Sequence, residues 1–117
     1  MQHLLIVEDS CLVTDALRLL FEAHGYRVSI ANSVALGLEY ATNDPADVML
    51  LDLSLPDGNG LDLLYSLRRA GTLPLATLAV TGWSDDVTRE RCLAAGCRAV
   101  LEKPVPIQEL LARVQAF

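Results

Sequence analysis

Aromatic residues are scarce, at 5% of 117 residues, so a core must be built from Leu, Val, Ile and Ala. The hydrophobic share of 52% is large enough for one. Basic residues are few as well: 9 Lys and Arg against 15 Asp and Glu give a net charge of −6, with no cationic cluster. That composition offers no electrostatic footprint for nucleic acid or an anionic membrane, and direct nucleic-acid binding is not expected. The cysteines, Cys11, Cys92 and Cys97, are odd in number and lack the Cys-x-x-Cys spacing of a redox motif or zinc site. Reduced thiols in a cytoplasmic protein are the simplest account. The first apolar run, Leu4 to Val7, stops at Glu8 and lacks both a basic start and a small-residue cleavage site. No stretch approaches the roughly 20 apolar residues of a membrane span. A Gly-x-x-x-x-Gly-Lys phosphate loop is missing too, which argues against a nucleotide hydrolase. Without linkers, internal repeats or low-complexity segments, one domain covering residues 1–117 is expected.

What is present is an alternation of strand and helix signals. Leu4 to Val7, Val48 to Leu51 and Ala76 to Val80 are short unbroken apolar runs, the pattern of strands covered on both faces. Arg27 to Ile30 alternates polar with apolar, and Ala99 to Leu101 is flanked by charge, so these two read as edge strands. Val13, Ala16, Leu17, Leu20 and Phe21 share one helical face before Gly25, and Ile107, Leu110, Leu111 and Val114 repeat the spacing after Pro106, placed at a first helical position. Ser33 is a candidate N-cap for a helix with Val34, Leu38 and Ala41 inward, and Leu61, Leu64 and Leu67 line a third. The helix from Asp85 to Ala95 is poorly amphipathic and should be the least firmly packed. Strict alternation with right-handed crossovers implies an α/β fold: a five-stranded parallel sheet flanked by five helices in a flavodoxin-like three-layer sandwich. Placing the two edge strands outside gives the order 2-1-3-4-5. Ligands of such sheets bind at the carboxyl ends of the strands, where the winding reverses, here between the first and third strands.

The residues at those strand ends carry chemistry. Glu8 and Asp9 follow strand one, Asp52 ends strand three, Thr81 ends strand four and Lys103 follows strand five. Singly, each fits a helix cap or a solvated surface charge. Together they form a site. Carboxylates about 4 Å apart repel by roughly 4 kcal/mol per pair at an effective dielectric near 20. A hard divalent cation resolves that conflict, and Mg²⁺ takes one or two carboxylates with phosphate oxygens and water. Asp9 and Asp52 are the expected direct ligands, Glu8 acts through water, and the backbone carbonyl of Ser54 adds an oxygen. Aspartate is a covalent phosphoryl acceptor, and the transfer needs positioning and charge neutralisation above all. Asp52 would accept the group, with the Lys103 ammonium and the Thr81 hydroxyl on two of its oxygens.

The motifs Leu5-Ile6-Val7-Glu8-Asp9-Ser10, Leu51-Asp52-Leu53-Ser54-Leu55-Pro56-Asp57-Gly58-Asn59-Gly60-Leu61, Val80-Thr81-Gly82 and Glu102-Lys103-Pro104 occur in that order. From Leu4 to about Val114 the chain resembles the response-regulator receiver domains of two-component phosphorelays, of the chemotaxis-regulator type. The resemblance implies that Asp52 takes phosphate from a histidine on a kinase or a histidine phosphotransfer protein, and that Glu8 and Asp9 hold Mg²⁺. It further implies a cis bond between Lys103 and Pro104, and a downstream effector or output domain as the second partner. Two positions depart from the family. Val100 stands where an aromatic switch residue is usual, and Cys97-Arg98-Ala99 replaces an acidic pair used for dimer contacts, so a dimer of that kind is not expected.

Trp83, two residues past Thr81, is a candidate gate or reporter. His3 is expected at the surface, His24 at the negative end of the first helix, and Cys11 as a small hydrophobe. Pro56 to Gly60 reads as a turn. The reading is a phosphoacceptor switch signalling through helix four, strand five and helix five, not a turnover enzyme. The alternatives are a receiver-like module that binds its partner without phosphorylation, and a small hydrolase, for which no second acid-base residue follows Asp52.

Overall fold

The computed structural model describes residues 1–82 and 85–117; Trp83 lies outside the described residues. In chain order the elements are β1 (His3–Val7), α1 (Cys11–Ala23), β2 (Arg27–Ala31), α2 (Val34–Asn43), β3 (Val48–Asp52), α3 (Gly60–Ala70), β4 (Ala76–Thr81), α4 (Asp86–Ala94), β5 (Ala99–Glu102) and α5 (Ile107–Gln115). The five strands form one parallel sheet in the order β2-β1-β3-β4-β5, as expected. Between β3 and α3, Ser54–Leu55 pairs antiparallel with Gly58–Asn59 in a short hairpin that sequence reading took as a plain turn.

The period of two along each strand divides the core into two layers. Leu5, Val7, Met49, Leu51, Ala79 and Val100 pack with α2, α3 and α4. Leu4, Ile6, Val48, Leu50, Leu78 and Leu101 pack with α1 and α5. Every residue of β1 and β3 is buried, which is why both read as unbroken apolar runs.

The helices hold some surprises in which face turns inward. On α2 the buried positions are Gly37 and Ala41, while Leu38 is exposed, contrary to the expected stripe. A Cβ on Gly37 would meet Leu63 at 2.8 Å, so α2 approaches α3 through its smallest residue and turns Leu38 to water. On α1 the buried set is Thr14, Leu17 and Phe21, and Val13 is exposed; on α5, Ile107 is exposed in the same way. Pro106 is the N-cap of α5 rather than its first helical residue. In α4 the buried residue is Cys92 alone, which fits the weak packing expected of it.

His3 is corrected from a surface histidine to a buried one. It belongs to β1, where its Nε2 lies 2.7 Å from the Ser29 hydroxyl and its Nδ1 lies 3.2 Å from the Pro45 carbonyl oxygen. That carbonyl only accepts, so Nδ1 carries the proton. His24 caps α1 as expected, its Nδ1 2.9 Å from the Leu20 carbonyl oxygen.

Candidate functional site

The strand register brings the acids together. β1 and β3 are neighbours, with Val7 opposite Leu51, so the residues that follow each, Glu8 and Asp52, stand side by side. By alternation, Glu8, Asp52 and Lys103 share the parity of the layer under α1 and α5. One carboxylate oxygen from each of Glu8, Asp9 and Asp52 lies within 4.8 Å of the others. Glu8 and Asp52 are buried and Asp9 is exposed. Lys103 reaches over from β5, its Nζ donating to Asp52 Oδ2 at 2.9 Å and to Glu8 Oε1 at 3.4 Å. The Lys103–Pro104 bond is cis, as the resemblance implies.

Asp52 is gripped on its other oxygen by the Ser54 amide, which donates to Oδ1 at 3.0 Å. Gly60 crosses directly behind. A Cβ there would meet the Asp52 carbonyl oxygen at 2.8 Å and Leu53 Cα at 2.9 Å, both backbone atoms that cannot swing aside. Gly60→Ala is expected to cost about 1–3 kcal/mol through overpacking, read as a lowered urea midpoint with an unchanged slope.

The electrostatics of the cluster are unbalanced. Burial, then the adjoining Asp52 carboxylate, raises the Glu8 pKa from 4.5 to about 7, the Lys103 charge offsetting only part of this. Burial also works against the Lys103 ammonium, but Asp52 and Glu8 outweigh it and raise its pKa. The Lys103 ammonium pairs with two of the three carboxylates, so the cluster keeps an excess of negative charge that a second cation would offset. An all-oxygen donor set of this kind fits Mg²⁺.

Thr81 ends β4, buried, and its carbonyl oxygen accepts from the Lys103 amide at 2.7 Å. The alternation of β4 gives Thr81 the parity of Ala79, in the layer opposite Asp52. Ser54 is exposed in the hairpin, two residues from Asp52. An apolar cavity of about 430 Å³ opens beside the acids toward α1 and α5, bordered by Val13, Val80 and Val105.

One residue escaped the sequence reading. Asp57, at the hairpin tip, accepts from the Val34 amide at 2.7 Å and from the Ala35 amide at 3.1 Å, so it caps α2 from outside that helix. These backbone hydrogen bonds lower its pKa. No local signal marks such a cap, because its partners lie more than 20 positions upstream.

The sequence profile described as the response regulator receiver domain matches residues 4–115. The TorCAD operon transcriptional regulatory protein TorR of Escherichia coli O157:H7 is 39% identical over 113 residues, covering 97% of this chain and 48% of that protein. The transcriptional regulatory protein KdpE of Mycobacterium tuberculosis (strain CDC 1551 / Oshkosh) is 36% identical over 116 residues, covering 99% of this chain and 50% of that protein. This chain therefore spans about half the length of these curated relatives. Among solved structures, a CheY-like response regulator receiver domain protein from Methanospirillum hungatei JF-1 superposes with a TM-score of 0.92 at 29% identity, covering 99% of this chain and 92% of that one. With its fold, strand order and motif positions all in agreement, the chain belongs to the response regulator receiver domains of two-component systems.

Proposed function

We propose that residues 1–117 act as one receiver domain in which Asp52 accepts a phosphoryl group from a phosphohistidine on a histidine kinase or histidine phosphotransfer protein. The observation that carries this reading is the setting of Asp52, a buried carboxylate held between the Lys103 ammonium at 2.9 Å and the Ser54 amide at 3.0 Å. An oxygen of Asp52 attacks phosphorus, a P–O bond forms as the P–N bond breaks, and the imidazole leaves with the bonding pair. Glu8, Asp9, Asp52 and the Ser54 carbonyl are the groups that would hold Mg²⁺, which when bound neutralises charge on the carboxylates and on the phosphoryl oxygens. Lys103 places a point charge on one phosphoryl oxygen, and the Thr81 hydroxyl donates to another.

Movement of Thr81 toward the phosphoryl group would draw the β4–α4 connection with it. α4, which buries Cys92 alone, is the helix freest to respond, so the signal leaves through α4, β5 and α5. The receiving partner is a downstream effector or an output domain, in keeping with relatives about twice as long. The domain works in the cytoplasm beside its kinase, without direct nucleic-acid contact of its own and without turnover of a substrate. No helix among the described residues is long and apolar enough to cross a membrane.

Incubation with labelled acetyl phosphate is expected to label the protein only when Mg²⁺ is present, and Asp52→Asn to remove the label. Label retained on Asp52→Asn defeats the assignment. Val100, buried where a switching ring is usual, favours a second reading in which the domain binds its partner without phosphorylation. Under that reading, Mg²⁺ with beryllofluoride leaves the amide spectrum of α4 unchanged.

A further inference from the structure

Asp57 stands outside the acid cluster, yet the hairpin it caps is the segment that carries Ser54. Ser54 faces Asn59 and Leu55 faces Gly58 in that hairpin, with Asp57 in the turn between them. The hairpin is fastened at its other end too. The Asn59 side chain accepts from the Leu61 amide at 2.9 Å, capping α3, and the Gly60 amide donates to the Leu53 carbonyl at 2.8 Å. On the α2 side, the hairpin tip is held by the bidentate grip of Asp57 on the Val34 and Ala35 amides. Charge-assisted bonds from a carboxylate to paired amides at a helix start are stronger than neutral ones, and the helix dipole adds to them.

We propose that Asp57 is a positioning residue for the phosphoacceptor site: by clamping the hairpin tip to the start of α2, it fixes the Ser54 backbone, whose amide orients Asp52 and whose carbonyl completes the Mg²⁺ ligand set. This rests on the reading of Asp52 and Ser54 given above. Asp57 touches neither metal nor phosphoryl group and acts through Ser54 alone. Groups that orient metal ligands from behind typically change metal affinity by 10–100-fold when removed. For a backbone carbonyl held at two ends, one of which survives, the lower end of that range is the expectation.

α2 supplies the control that separates positioning from simple capping. Ser33 accepts from the Leu36 amide at 3.1 Å and caps the same helix through a bond made within α2. Ser33→Ala therefore weakens α2 and leaves the Ser54 turn clamped. Mg²⁺ titrations of the folded proteins by calorimetry, with amide NMR of Ser54, provide the test. Asp57→Ala is expected to weaken Mg²⁺ binding about tenfold and to shift the Ser54 amide resonance in the metal-free state. Ser33→Ala lowers the melting temperature with Mg²⁺ affinity unchanged. Asp57→Asn keeps one acceptor on the α2 amides and falls between wild type and Asp57→Ala, so a fold lost in the alanine variant still leaves a measurement. Equal Mg²⁺ affinity in wild type and both Asp57 variants overturns the proposal, as does an equal loss in Ser33→Ala. A wild-type protein that binds no Mg²⁺ at all removes the underlying reading of the site, and the proposal with it.

Discussion

Lys103→Met is expected to slow phosphoryl transfer from acetyl phosphate to Asp52 by about 100- to 1000-fold at saturating Mg²⁺, the usual loss when one preorganised electrostatic contact to the transferring group is removed. Methionine keeps the length and apolar stem of lysine, so the difference isolates the charge. The ammonium already lies 2.9 Å from Asp52, so its position is set before any phosphodonor arrives. Lys103→Arg should recover little, because a planar fork cannot replace a point charge held between two carboxylates. Stability moves as well. Stripping the cation from a buried pair costs 3–5 kcal/mol in general, but the Lys103 side chain is 39% exposed, and screening reduces the figure here to about 2 kcal/mol at neutral pH without metal. A Lys103→Met protein that is labelled within threefold of the wild-type rate shows that the lysine has no part in the transfer.

The site was more legible in the sequence than several of its supports, and the physical reason is consistent across cases. Strands covered on both faces must be apolar at every position, so Leu4–Val7 and Val48–Leu51 announce themselves, and parallel topology then carries Glu8 and Asp52 to one edge without knowledge of any side-chain contact. Chain order alone does that work. Helix faces are decided by what lies opposite. Leu38 is a better hydrophobe than Gly37, yet the close approach of Leu63 selects the glycine. His3 reads as polar and terminal, but Ser29 and the Pro45 carbonyl satisfy both ring nitrogens and permit burial. Asp57 is hidden for a related reason: its partners belong to another helix, and a turn of Pro, Asp, Gly and Asn reads the same whether or not its aspartate reaches anything. Long-range polar partners leave no periodic trace.

Glu8→Gln is expected to make the metal-free protein more stable, by about 2–3 kcal/mol at pH 8, while weakening its hold on Mg²⁺. The folded pKa of Glu8 is about 7 against an ordinary 4.5, so between these values the folded chain binds more protons than the unfolded chain. Stability must then fall as pH rises through that window, with the whole penalty present above pH 7 and none of it below 4.5. A shift of this size corresponds to roughly 3 kcal/mol at 1.36 kcal/mol per pKa unit. Glutamine fills the same space and its carbonyl can accept from the Asp9 and Ser10 amides that Glu8 now binds, but it never ionises. Urea unfolding in a chelator at pH 5, 6, 7 and 8 gives the comparison: a declining series for wild type and a flatter one for Glu8→Gln, the two converging at the acid end. Adding Mg²⁺ should lift the wild type more than the variant at pH 8, since the cation relieves a repulsion that glutamine has already removed. If wild-type stability instead climbs from pH 5 to 8 in the chelator, and Glu8→Gln gains nothing, the acids are not in conflict and the case for a metal at this site loses its physical basis.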